Sequence, residues 1–138
     1  MTVGTDDDES TRGPVIDDAA LAELLELDRL SPRGVFERVV RIYLDQAPVI
    51  LRELRAAVDE SEPERFSKAA HSLKSSSMNV GAKTLSVLCK ELEALGRSGS
   101  TDGAANLLNQ IDVLYPAVEV ALQDRMSARQ ARSASAPG

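Results

Sequence analysis

The sequence predicts an all-α fold, an antiparallel four-helix bundle with an additional short N-terminal helix. Leucine, alanine and valine dominate the apolar residues, whereas aromatic residues make up only 3% of the chain, a balance that favours packed helices over a sheet. Apolar residues recur every three or four positions over long segments, and short loops join these segments. Long amphipathic helices with short connections pack as antiparallel neighbours, and a length of 138 residues suits one domain.

The first two predicted helices begin at capping residues. Asp17 is a suitable N-cap for a short first helix, and Ser31 followed by Pro32 predicts the start of a second helix that reaches about residue 60. We expect Pro48 to bend the second helix, because proline removes one backbone hydrogen bond. The predicted buried seam of this helix comprises Phe36, Val40, Tyr43, Ala47, Ile50, Leu54 and Ala57.

The third and fourth helices are predicted on either side of a tight turn. Residues 61–64 have a capping-box pattern, so the third helix is expected to run from there to about Met78. Asn79 and Gly81 mark the turn, because both residue types tolerate positive φ. The fourth helix should then cover about residues 82–97.

The last helix should be capped by Thr101 or Asp102, and Pro116 is expected to kink or split it. Residues 1–14 are polar, acidic and without periodicity, which predicts a disordered acidic tail. Residues 127–138 are small, basic and unpatterned, and we interpret them as a disordered tail or linker. The helical bundle would then occupy residues 15–126. The predicted seam of the last helix comprises Leu107 or Leu108, Ile111, Tyr115, Val118, Leu122 and Met126.

Composition excludes several classes of protein. A net charge of −6 is opposite to the basic surface that nucleic-acid binding requires. The sequence has no run of about 18 apolar residues, which a membrane-spanning helix would need. The N-terminus also lacks the pattern of a signal peptide, so we expect a cytoplasmic protein. A single histidine and a single cysteine, Cys89, fall short of a metal site, and we expect no cofactor. Cys89 lies beside a leucine stripe, which favours packing over a redox role.

The only histidine, His71, lies off the apolar stripe of the third helix. An exposed neutral imidazole is a nucleophile near neutral pH, because one ring nitrogen keeps a free lone pair. Lys74, one helical turn later, would stabilise a phosphoryl group on that ring as a point charge. Without this context a lone helical histidine would be a solvated surface residue. The residues expected to form a partner-access face around His71 are Ser67, Lys68, Ser72, Ser75 and Met78.

Residues 70–77 read AHSLKSSS, Val80-Gly81-Ala82 follow, and residues 85–97 contain the pattern LxxLCxxLExLGR. This run resembles the histidine-containing phosphotransfer (HPt) family, whose pattern is AHxLKG, a Gly-Ala turn and LxxLCxxLExLGR. The resemblance implies a helical bundle in which His71 accepts a phosphoryl group from a receiver-domain aspartate and passes it on, with Lys74 as the supporting lysine. Ser75 stands where the family usually has glycine.

The resemblance also implies the partners of the chain. These would be the receiver domains of response regulators, with a hybrid sensor kinase as a further candidate, and any magnesium would belong to the receiver. No Gly-rich phosphate loop is present, so we expect a phosphorelay intermediate and not an enzyme with its own nucleotide site. We expect a monomer. An alternative interpretation is a non-phosphorylated helical adaptor that binds a signalling partner through an exposed helix face.

Overall fold

A computed structural model of the chain describes residues 15–30 and 34–135, with side chains described as far as residue 131. These residues form five α-helices: α1 (Asp18–Leu30), α2 (Val35–Asp59), α3 (Pro63–Asn79), α4 (Lys83–Arg97) and α5 (Ala104–Ser135). Helices α2 to α5 form a ring in which each helix packs on its two neighbours, and α1 packs on α2 and α3. The described ranges contain no strand, and the predicted all-α bundle with a short additional helix is confirmed.

Side-chain contacts define the register of α2 against α3. The Tyr43 hydroxyl lies 2.9 Å from Ser77 Oγ, and Arg65 Nε donates to Glu53 Oε2 at 3.0 Å. The first pair joins the beginning of α2 to the end of α3, and the second joins the end of α2 to the beginning of α3. The two helices are therefore antiparallel, as the short loop between them predicts.

The core contains the apolar stripes that the helical periodicity predicts. All predicted seam residues of α2 are buried except Ile50, which is partly buried against the core. Cys89 is fully buried, and burial raises the pKa of its thiol to about 12, which supports the packing interpretation. The buried stripes of the remaining long helices comprise Phe66, Ala70, Leu73 and Ser77 in α3, Leu85, Cys89 and Leu92 in α4, and Leu108, Ile111, Tyr115, Val118, Leu122 and Met126 in α5.

Asp17 caps α1 as predicted. Its Oδ1 accepts hydrogen bonds from the backbone N–H groups of Ala19 at 2.9 Å and Ala20 at 3.4 Å. The predicted N-terminal tail (residues 1–14) and the predicted cap at Ser31 and Pro32 lie outside the described residues. Helix α2 begins only at Val35, because Gly34 has φ of 72°, a left-handed conformation that cannot belong to the helix.

One predicted capping interaction and one predicted helix start are wrong. Helix α3 begins at Pro63, within the predicted residues 61–64, but the Glu62 side chain before it makes no capping hydrogen bond, so the capping box does not form. Helix α5 begins at Ala104 and not beside Thr101 or Asp102, because Gly103 has φ of 86° and separates those residues from the helix.

The predicted tail after residue 126 requires a correction. Residues 127–135 continue α5 as a helix, so they are not a disordered tail; residues 136–138 lie beyond the described part. Alanine and arginine are good helix formers, and side chains of this segment contact the other end of the chain. Arg129 pairs with Asp28 and stacks over the Phe36 ring at 5.3 Å from its centroid. The helix also runs unbroken through Pro116, so it is not split there.

Candidate functional site

His71 lies on the solvent side of α3, one position from the buried Ala70. Its side chain is 55% exposed, although the four residues of the core stripe on the same helix are fully buried. Exposure follows from the helical angle, because a position about 100° past a core residue turns away from the bundle axis. The imidazole is therefore accessible to a second molecule.

The Nδ1 edge of this ring contacts a carboxylate from the neighbouring helix. His71 Nδ1 lies 2.8 Å from Glu93 Oε2, and the Glu93 side chain is only 4% exposed. Glu93 Oε1 accepts a hydrogen bond from Lys74 Nζ at 2.6 Å, and Arg97 Nη2 lies 3.0 Å from Oε2. One buried carboxylate thus joins three donor groups from two helices.

The cationic neighbours keep Glu93 ionised. The hydrogen bond from Lys74 is the largest influence and holds the pKa of the Glu93 carboxyl below its usual value. The contact with His71 and the charge of Arg97 act in the same direction, whereas burial opposes them. An ionised carboxylate only accepts hydrogen bonds, so the proton in the contact between Glu93 and His71 resides on Nδ1. The other ring nitrogen, Nε2, then has the free lone pair.

Close packing of α3 on α4 creates this geometry. Ser67 Oγ donates to the Glu93 carbonyl at 3.1 Å, and Ser86 Oγ donates to the Lys74 carbonyl at 3.0 Å. Gly96 permits the approach, since a Cβ there would lie 2.5 Å from the Pro63 carbonyl oxygen. These contacts set the antiparallel register of α4 on α3, in which the Glu93 side chain reaches His71 and Lys74.

The structure divides the predicted partner-access face. Lys68, Ser72, Ser75 and Met78 are exposed on the same helix as His71. Ser67 is only 8% exposed, so its assignment to the accessible face is wrong. The physical reason is its hydrogen bond to the α4 backbone, which turns Ser67 into the interface between the two helices.

The end of α3 borders a groove next to the histidine face. Met78, which is 50% exposed, and Asn79 line one side of this groove of about 670 Å³, and Leu24 and Leu27 of α1 lie on another. Asn79 is the last residue of α3, and Gly81 after it has φ of 79°. The Gly81 carbonyl accepts a hydrogen bond from the Asp17 N–H at 2.7 Å, so the turn between α3 and α4 also anchors the start of α1.

Glu93 is the site residue that the sequence reasoning did not single out. It follows the buried Leu92 directly and lies four positions after the buried Cys89, so it falls on the edge of the apolar stripe of α4. A carboxylate at such a position has to meet a cation or donor from a neighbouring helix. That position was the available signal, but only the register of α4 on α3 identifies its partners.

The remaining features bear on cofactors and membranes. Among the described side chains, no three histidine, cysteine, aspartate or glutamate residues lie close enough together to hold a metal ion. No helix within residues 15–30 and 34–135 combines the length and the apolar character needed to cross a bilayer.

Comparisons with known proteins agree with this fold. Histidine-containing phosphotransfer protein B from Pseudomonas aeruginosa has a solved structure with a TM-score of 0.75 and 27% sequence identity, covering 84% of this chain and 97% of that one. The maize histidine-containing phosphotransfer protein ZmHP2 also superposes with a TM-score of 0.75, over 84% of this chain and 86% of that one. At 24% identity, the maize likeness supports the fold alone.

Sequence comparisons extend to the family. Histidine-containing phosphotransfer protein 2 of Arabidopsis thaliana is 31% identical over 111 residues, which cover 78% of this chain and 70% of that protein. Multistep phosphorelay regulator 1 of Schizosaccharomyces pombe is 27% identical over 108 residues and is matched over 34% of its length. Residues 38–131 match the family model described as Hpt domain. The chain therefore belongs to the Hpt domain family and is a histidine phosphotransfer protein of multistep phosphorelays.

Proposed function

We propose that His71 is the residue that takes up and releases the phosphoryl group. The observation that supports this assignment is the contact of an exposed imidazole with a buried carboxylate, from His71 Nδ1 to Glu93 Oε2 at 2.8 Å. Glu93 fixes the ring orientation and the tautomer, as carboxylates do for metal-binding histidines. The Nε2 lone pair is left on the side of the ring away from Glu93 and serves as the nucleophile.

The transfer step follows from this arrangement. The Nε2 lone pair attacks phosphorus of an aspartyl phosphate, a P–N bond forms, and the P–O bond to the aspartate breaks with its electron pair returning to the carboxylate. The Nδ1 proton stays in its hydrogen bond, so the ring gains a positive charge that the Glu93 carboxylate balances. Attack by the carboxylate of a second aspartate reverses the step, and the P–N electron pair returns to Nε2. No proton has to leave the site.

Lys74 supports the reaction through two contributions. Its ammonium donates to Glu93 Oε1 at 2.6 Å and thereby orients the carboxylate that orients His71. It also lies one helical turn from His71, where its positive charge offsets the charge of the transferred phosphoryl group. Its side chain is 27% exposed, so an incoming phosphoryl oxygen has access to the ammonium.

Hpt domains in phosphorelays interact with receiver domains and kinases. We propose that this chain exchanges phosphoryl groups with receiver aspartates as a monomer in the cytoplasm. We also propose that the receiver supplies any magnesium and that the chain acts as a phosphorelay intermediate, with its phosphoryl group coming from another protein and not from a bound nucleotide. Lys68, Ser72, Ser75 and Met78 form the face that the receiver approaches, because all four are exposed on the helix of His71.

The test compares the parent protein with His71→Gln in two labelling reactions. Phosphoramidate, a small donor that phosphorylates imidazole, reports on the nucleophile alone, and a phosphorylated receiver domain reports on transfer between proteins. Both reactions should label the parent on one acid-labile site and leave the variant unlabelled. The thermal midpoint should fall by no more than about 5 °C, because the exposed side chain contributes little packing and its loss removes one hydrogen bond to Glu93. Equal labelling of both proteins would refute the assignment and indicate another acceptor residue, whereas absence of label on the parent would favour a non-phosphorylated helical adaptor.

A further inference from the structure

The lysines of this chain are confined to one part of the molecule. All four, Lys68, Lys74, Lys83 and Lys90, lie on α3 and α4, and the other positively charged side chains, apart from the titratable histidine, are arginines. The same two helices contain the histidine site, whereas the chain as a whole has a net charge of −6. The surface around His71 therefore differs in charge and in cation type from the rest of the molecule.

Two hydrogen bonds from serine hydroxyls to backbone carbonyls place Lys90 next to His71. Residue 67 of α3 is bonded to residue 93 of α4, and residue 74 is bonded to residue 86, so the antiparallel register sets position 90 level with position 70. Arg97, which contacts Glu93, lies two helical turns after Lys90. Lys90 is thus on the edge of α4 that borders α3. Lys68 lies one turn before His71, on the solvent side of α3.

The four lysines differ in how they are paired. Lys74 is 2.6 Å from Glu93, and Lys83 is 2.7 Å from Asp17, so both have partners within the protein. Lys68 and Lys90 are exposed, and neither forms an ion pair with any residue in the described part of the chain. Two uncommitted positive charges therefore lie on either side of the imidazole.

We propose that Lys68 and Lys90 form a docking surface for the carboxylate-rich rim around the phosphorylated aspartate of a receiver domain. This inference rests on the proposed function, since the donor must bring its aspartyl phosphate to His71. An aspartyl phosphate is itself anionic, and a site that holds Mg²⁺ uses carboxylates as ligands. A receiver thus presents negative charge where this surface presents positive charge. Lysine suits a transient complex, because its hydrated ammonium contributes attraction without the bidentate geometry of arginine.

The experiment measures kcat/KM for transfer from a phosphorylated receiver domain to the parent, Lys68→Glu, Lys90→Glu and the double variant. Arg52→Glu is the matched control, because Arg52 is exposed on α2, which is across the bundle from α4, and has no ion pair among the described residues. Rates are taken at about 10 mM and about 150 mM salt, where the screening length falls from about 30 Å to about 8 Å. Labelling by phosphoramidate is measured in parallel.

The double variant should lose on the order of tenfold or more in kcat/KM at low salt, with a smaller loss at high salt. Arg52→Glu should stay within about twofold of the parent, and phosphoramidate should label all five proteins to a similar final extent at about 150 mM salt, where surface charges are screened. If the double variant had the parental kcat/KM at low salt, the proposed docking surface would be wrong. Labelling by phosphoramidate would in that case still support His71 as the acceptor. A parent protein that phosphoramidate does not label would contradict the proposed function instead. If the variants change only self-association, measured by mass in solution, the surface binds a second copy and the proposal is wrong.

Discussion

Replacing Glu93 with glutamine tests the central ion-pair cluster through the stability of the protein. The carboxylate is 4% exposed and accepts hydrogen bonds from Lys74 and His71 at 2.6 and 2.8 Å. Glutamine retains the shape of the side chain but has one acceptor oxygen and no charge. At least one of the three donor groups around Glu93 therefore loses its acceptor, and no ion pair remains.

The expected cost of Glu93→Gln is about 2 kcal/mol in the free energy of unfolding near neutral pH. Hydrogen bonds to charged groups contribute about 1.5 to 3 kcal/mol each, and the lower part of this range applies because the Lys74 ammonium can turn to water. For a domain of this size the thermal midpoint should fall by roughly 6 to 10 °C. Glu91→Gln is the matched control, since Glu91 is exposed on the same helix, and its midpoint should change little.

The pH dependence gives the same prediction an internal check. The folded-state pKa of Glu93 lies below the unfolded value of about 4.3, with the hydrogen bond from Lys74 as the main cause. Its stabilisation is therefore fully present above the unfolded pKa and is lost as the pH falls through the folded pKa. The difference in unfolding free energy between parent and Glu93→Gln should be constant from pH 6 to 8 and shrink below about pH 4. A difference that stays unchanged at low pH, or no difference at pH 7, would refute the ion-pair argument.

Two further predictions concern the packing and access of α3. Gly96→Ala should lower the free energy of unfolding by about 1 to 3 kcal/mol in urea denaturation, because the new Cβ would lie 2.5 Å from the Pro63 carbonyl oxygen and 2.7 Å from Ser67 Cβ. An unchanged midpoint would mean that the helices separate at no cost. Ser75→Arg should keep the fold and block transfer from a receiver, since residue 75 projects toward the turn that contains His71. Ser75→Gly should transfer normally and cost up to about 1 kcal/mol, and normal transfer by Ser75→Arg would show that the receiver approaches elsewhere.

Periodicity alone determined most of the fold. The repeat of apolar residues predicted which face of each long helix is buried, and the seams of α2, α3 and α5 lie in the core as expected. The same reasoning predicted that His71 is exposed, and Asp17 was recognised as a cap from its residue type and position. These features depend on the angle of a residue around its own helix axis or on its immediate neighbours, and the sequence contains both quantities.

Only the tertiary structure decided how the helices meet. Ser67 lies at a helical angle next to the solvent face, yet it is buried because α4 passes close to it. Glu93 meets His71 because of the register between two helices, which no periodicity within one helix encodes. Similarly, residues 127–135 remain helical although their sequence has no apolar stripe, and Arg129 within them contacts Asp28 and Phe36, about a hundred positions earlier. Burial, pairing and helix length at these points depend on distances between segments that are remote in sequence, and packing sets those distances.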